Sequence, residues 1–360
     1  MVPVSIKRGF YRLWWVLPAL SLILSVAISA KIVADTRNAP IEKILLADCS
    51  APDDDAFQCW KQKFESLVYS ESAEKALDQA KSENDKGGYV RANCHQLAHV
   101  IGRAAAKKYE LKVAETFEHG NQFCASGYYH GAMESVVAEV GPQKIKDTIN
   151  EICKPFRVKN AYNLKHYDCV HGLGHGVMSM ENYELYRALE DCELLSDTWE
   201  RDSCSSGVFM ENIMSVFNNP DYQTKYLDKN RPLYPCTDVD DIHKTACYLN
   251  QSSYALTVTN FNYATVFELC GEAGSSDIIC YQSLGRDASG NSIQDPASAN
   301  QICQLGKSYE RVANCVIGAV KDIIWIGNSK EKGEQFCALQ QSVEIKRTCF
   351  DTAESYYASF

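Results

Sequence analysis

Neutral imidazole is the commonest metal ligand in proteins, and seven of this chain's eight histidines fall between positions 95 and 175. They follow a pattern. Cys94-His95-Gln96-Leu97-Ala98-His99 and Cys169-Val170-His171-Gly172-Leu173-Gly174-His175 each carry two histidines four residues apart. Residues at that spacing stack on one helix face, so His95 with His99 and His171 with His175 form two chelating pairs. Between them, Cys124-Ala125-Ser126-Gly127-Tyr128-Tyr129-His130 places His130 four residues before Glu134 as a third, mixed pair. Aligned on their cysteines, His99, His130, His175 and Met210 occupy equivalent places, with a one-residue slip in the first string. His95, Ser126, His171 and Ser206 lie four residues earlier.

Imidazoles joined by a carboxylate suit copper, zinc or iron, and this spacing does not separate the three. The expected ligands are His95, His99, His130, His171 and His175. Glu134 and Glu211 are the candidate general bases beside a metal-bound water, whose pKa an ion lowers to about 7. Tyr128 and Tyr129 are candidate proton donors or stacking groups. His119, His166 and His243 read as incidental. The competing reading is repeat ancestry, with the histidines packed between helices and bonded to backbone. HExxH, GxSxG and CxxCH are all missing, which removes the helix-borne zinc protease, the serine hydrolase elbow and covalent haem. The five non-initiator methionines lie in the same region; thioethers select Cu(I), but methionine more often fills a core.

These side chains need helices to position them, and the cysteines describe the helices. Fourteen of the sixteen cysteines fall into pairs ten to sixteen residues apart: Cys49/Cys59, Cys153/Cys169, Cys192/Cys204, Cys236/Cys247, Cys270/Cys280, Cys303/Cys315 and Cys337/Cys349. Cys94 and Cys124 remain, and a mutual bridge is expected for them. With Cys94 and Cys124 counted alongside them, the second cysteines of the pairs recur every thirty to forty-five residues, the period of a structural array. Apolar spacing is helical, with no sustained alternation, so strands are not expected. Helices are predicted over 60–69, 73–82, 94–109, 124–140, 144–153, 169–189 and 204–216. In each unit the second cysteine opens one helix and the next pair's first cysteine closes its partner. The expected fold is all-α: a helical-hairpin repeat array, solenoid or closed α/α toroid, stapled by disulfides. Breaks are expected at 218–235 and 285–298. Ser253, Arg286 and Lys321 stand near the histidine position in later units, which confines the metal-like character to 94–214. Glycines crowd the first helices, and a helical glycine costs about 1 kcal/mol against alanine. That implies close helix contact or room for a ligand.

The chain divides into a basic tail at 1–12, an apolar stretch at 13–34, a spacer at 35–58 and the helical domain at 59–360. Lys7, Arg8 and Arg12 precede the apolar stretch and Trp14 and Trp15 sit at its edge, the signature of an uncleaved anchor oriented positive-inside. A cleaved signal peptide ending near Ser25-Val26-Ala27 is the alternative. Either way the domain lies outside the cytoplasm, where cysteines oxidise. No CxxC occurs, so disulfides outrank a structural zinc site. Net charge −10 and pI near 5.4 argue against nucleic acid as partner. The expectation is a membrane-anchored extracytoplasmic metalloprotein, with or without catalysis. The alternatives are a scaffold presenting a concave surface to another protein, or a metal store or carrier of the envelope. No substrate is legible. Asn250-Gln251-Ser252 matches a glycosylation sequon but falls on an expected helix and reads as chance.

Overall fold

The computed structural model describes Cys49 and residues 56–158, 163–218, 224–293, 295–327 and 329–358. Within them all regular structure is helical. The first nine helices are α1 Ala56–Ser70, α2 Ala73–Lys86, α3 Gly88–Ala92, α4 Cys94–Lys108, α5 Val113–Glu118, α6 Gly127–Ile152, α7 Leu164–Met180, α8 Leu185–Cys192 and α9 Thr198–Asn218. Then come α10 Asp241–Val258, α11 Tyr263–Cys270, α12 Asp277–Asn291, α13 Pro296–Gln304, α14 Tyr309–Gly327, α15 Lys330–Ala338 and α16 Val343–Tyr357. The segment expected to anchor the chain lies outside the described residues, and no helix within them is long and apolar enough to cross a membrane.

The sequence explains the helix ends. Ser72, Asn262, Asp295, Ser329 and Ser342 each accept a backbone N–H three residues on, satisfying donors that a helix start leaves open. Pro296 stands at the first position of α13, where its missing N–H is harmless. Three long helices leave by one turn. Glu110-Leu111, Asn182-Tyr183 and Asn260-Phe261 all have φ between 52° and 60°. The N–H of the second residue closes onto the carbonyl five back (Ala106, Met178 or Leu256) at 2.7–2.9 Å. None of these residues is glycine, and the sequence signals the turn only through Asn182 and Asn260, a residue type that tolerates the left-handed region.

Each long helix packs against the next in order: α1, α4, α6, α7, α9, α10, α12, α14 and α16. Leu97, Ile101, Phe117, Met133, Leu173, Val177, Phe209 and Phe267 are fully buried in the core, each contributing about 1.5–3 kcal/mol. Glycines set how closely the helices approach. A Cβ on Gly102 of α4 would strike the carbonyl of Tyr128 on α6, and one on Gly131 of α6 would strike that of His99 on α4. The reciprocal arrangement recurs where Gly174 of α7 faces the Cys204 carbonyl and Gly207 of α9 faces that of His171. It recurs again between Gly285 of α12 and Gly318 of α14. Close contact accounts for these glycines.

All sixteen cysteines are bridged in the expected pairs, Cys94–Cys124 included, with Cα–Cα separations of 5.4–5.8 Å. The short loops are worth about 3 kcal/mol each on a chain-entropy account. Eight disulfides belong to an oxidising, extracytoplasmic environment.

Several expected boundaries move. Only Cys94 opens its helix. Cys169, Cys204, Cys247, Cys280, Cys315 and Cys349 lie up to two turns inside theirs, because capping groups such as Asn163 start the helix upstream. The expected helix 169–189 is two, α7 and α8, divided by the turn at Asn182. The expected break at 285–298 is shorter, since α12 continues to Asn291. The two helices expected across 124–153 meet at Gly141, which has non-helical φ 72° and ψ 165° ahead of Pro142. Asn250 is buried in α10, its amide donating to Ser206 and to the Ala246 carbonyl, so the sequon is closed to glycosylation.

Gly131→Ala should lower stability by about 1–3 kcal/mol, read as a lower thermal midpoint, because its Cβ has only backbone to displace. Gly290→Ala, where nothing lies within 4 Å, should leave the midpoint unchanged or slightly higher.

Candidate metal centre

The five expected ligands come together. Helix α4 supplies His95 and His99, α6 supplies His130, and α7 supplies His171 and His175. Ring centroids lie 4.6 Å apart for His95–His99, 5.5 Å for His99–His175, 4.5 Å for His130–His175 and 5.2 Å for His171–His175. Except for half-buried His95, the rings are buried, with His175 fully enclosed. Three sets of donors have atoms within 4.8 Å of one another: His95/His99/His130, His130/His171/His175 and His99/Glu134/His175.

The outward edge of each ring decides what the inward edge offers. His95 Nδ1 donates to the Cys124 carbonyl at 2.8 Å. His99 Nδ1 donates to Glu134 Oε1 at 2.6 Å, and His175 Nδ1 to Glu211 Oε2 at 2.8 Å. Carbonyls and carboxylates only accept, so these three rings carry their proton on Nδ1 and turn the Nε2 lone pair inward. The Nε2 of His175 is buried without a partner. The Nε2 atoms of His95 and His99 face each other at 3.0 Å, so two lone pairs point at one spot and need a proton or a cation between them. A tetrahedral ion with bonds of about 2.0–2.1 Å sets its donor nitrogens roughly 3.3 Å apart, close to what is seen.

The carbonyl that holds His95 is specially presented. Cys124, Ala125 and Ser126 all have left-handed φ, 54°, 52° and 61°, a conformation costing about 1–2 kcal/mol per non-glycine residue. The Cys94–Cys124 bridge ties this turn to the start of α4. Backbone strain of this kind concentrates at functional sites.

Burial disfavours the charged form at three of the rings. Desolvation, with His99 nearby, pulls His95 down to about 3. Desolvation, then neighbouring imidazoles, holds His130 and His171 well below the usual histidine range. Burial pushes Glu134 upward, but His99 and the Arg103 guanidinium at 2.6 Å outweigh it and keep the carboxylate ionised.

Some expected roles change. Glu134 pairs across the helix interface with His99 rather than along α6 with His130. Glu134 and Glu211 both stand behind imidazoles, in the orienting position typical of metal-bound histidines. Tyr128 and Tyr129 belong to the core: Tyr128 donates to the Thr116 carbonyl and Tyr129 packs on Phe117. Met133 and Met178 are core residues as well. His166 is not incidental to the fold. With Arg157 it neutralises buried Glu200, at 2.8 and 2.7 Å, which burial raises but these two partners draw down to about 2.

Sequence reasoning missed the His–carboxylate crossings, since their partners stand 35 and 36 residues apart. It also missed a polar network in the later units. There Arg286 pairs with Asp287 at 2.9 Å and donates to the Leu249 carbonyl, while Ser252, Ser253 and Ser283 complete the hydrogen bonds. Buried Asp168, one helical turn before His171, makes no full hydrogen bond; burial, only partly offset by Ser126, pushes it up to about 7.

A carboxyl whose folded pKa is raised stabilises the fold below its unfolded value and loses that contribution as pH rises through the folded one. From an ordinary 3.8 to about 7, at roughly 1.4 kcal/mol per unit, the difference is worth roughly 4 kcal/mol. Asp168→Asn should therefore gain thermal midpoint relative to the parent between pH 4 and pH 8; a constant offset across that range would refute the assignment. No family model matches the chain, and neither a curated protein nor a solved structure does.

Proposed function

We propose that this chain is a membrane-anchored, extracytoplasmic metalloprotein whose histidines hold copper, zinc or iron. The observation that carries the reading is the inward convergence of Nε2 lone pairs from rings whose Nδ1 protons are already committed. A buried polar atom left unpaired costs about 1–3 kcal/mol, and a cation at that point satisfies several at once. Glu134 and Glu211 orient and enrich the ligands, and an ion so held supplies Lewis-acid or redox chemistry. The depth of the cluster favours a resident ion over one in transit. The proposed anchor is the segment 13–34.

The frame we propose is an array of α/α hairpins curving toward a closed ring. Recurrent exit turns, reciprocal glycine contacts and the ordered packing of long helices support it. So does the electrostatic reach of Tyr356 on α16 to Tyr167 and Asp168 on α7, and of Arg286 to His171.

Full-length protein purified without a histidine tag should contain a transition metal in stoichiometric amount by elemental analysis. His99→Ala/His175→Ala should empty it while circular dichroism and the disulfide count stay as in the parent. A metal-free parent that also takes up no added copper, zinc or iron would leave the scaffold reading instead. In the metal-binding parent, Glu211→Gln should weaken affinity about 10–100-fold without abolishing it.

A further inference from the structure

Resting on the metal reading, we propose that the cluster is binuclear, one ion on His95, His99 and His130 and a second on His130, His171 and His175, with the His130 imidazole between them. Among the described residues, no set of three mutually close donors contains His95 together with His171 or His175. A single centre therefore does not gather all five rings. Two sets do, and His130 is the member they share. Its ring lies in the middle, 5.2 Å from His95, 5.5 Å from His99, 4.9 Å from His171 and 4.5 Å from His175.

The hydrogen bonds single out the same residue. The Nδ1 atoms of His95, His99 and His175 are spent on Cys124, Glu134 and Glu211, and that of His171 faces the Tyr167 hydroxyl at 3.4 Å. The Nδ1 of His130 is buried with no partner at all. An orienting acceptor behind a histidine is the rule for an ordinary metal ligand, and His130 lacks one on that edge. A ring with both edges directed at ions has no use for it.

Bridging requires both nitrogens of His130 as lone-pair donors. The one remaining ring proton leaves to solvent as the second ion binds, and no electrons are transferred. Two divalent ions then face one imidazolate and the carboxylates of Glu134 and Glu211, with Arg103 adding a further positive charge. The surplus is positive, and each ion has three protein donors and an open fourth position, as catalytic sites do. A small anion is the ligand class that would complete them. In the third donor set Glu134 is already committed to His99 and Arg103, so it holds a ligand in place.

The test loads full-length, untagged protein with Cu(II), removes excess metal, counts ions per chain and records the electron paramagnetic resonance spectrum. Two ions per chain with an exchange-coupled, attenuated signal are expected. His171→Ala and His95→Ala should each retain one ion and show an ordinary, uncoupled copper signal. One ion in the parent overturns the binuclear site and leaves the metal reading standing; none overturns both. Two ions with uncoupled signals in the parent would place the second elsewhere and overturn the bridge.

Discussion

At two of the helix contacts around the histidines, α4 with α6 and α7 with α9, a glycine on one helix lies directly against a backbone carbonyl on the other. Gly131 rests on the carbonyl of His99 and Gly207 on that of His171, so the residues that carry imidazoles are also those that the glycines touch. A methyl group at either point would force the helices apart. The rings, reaching only a few ångströms from their backbones, would no longer meet. Glycine within a helix is unfavourable by about 1 kcal/mol against alanine, and the chain accepts that penalty repeatedly here. Eight short covalent loops and a continuous apolar core offset it.

With the helices at that spacing, the cluster becomes a problem in buried electrostatics. Five imidazoles in a dry interior cannot all be charged, and desolvation drives His95, His130 and His171 toward the neutral form. Neutral rings still need hydrogen-bond partners, and the fold supplies acceptors on the outer edges: a strained turn for His95, a carboxylate braced by Arg103 for His99, another carboxylate for His175. Each acceptor chooses a tautomer, and each tautomer exposes an inward lone pair. Affinity for a cation thus follows from how the outer edges are satisfied.

The same frame carries different chemistry farther along. Helices α12 and α14 meet through the same kind of glycine contact, Gly285 against the Cys315 carbonyl and Gly318 against that of Gln282. There the polar centre is Arg286 with Asp287 and three serines. Its donors and acceptors satisfy one another, whereas those around His130 and His175 leave inward nitrogens without partners. Similar backbone approaches therefore yield a closed network in one place and an open donor set in another.

The sequence alone determined which cysteines bridge, that the chain is helical, and that His95, His99, His130, His171 and His175 belong together. All three rest on short-range regularities: closure of small loops, the helical period, and residue types recurring at fixed offsets. Tertiary structure alone decided which residues stand behind those rings. Glu134 reaches His99 rather than His130, Glu211 reaches His175, and the Cys124 carbonyl turns toward His95 through a left-handed turn without glycine. Those hydrogen bonds join residues 29 to 36 apart. Their existence depends on the register at which two helices cross, which side-chain volumes and glycine contacts settle jointly and which no single segment encodes.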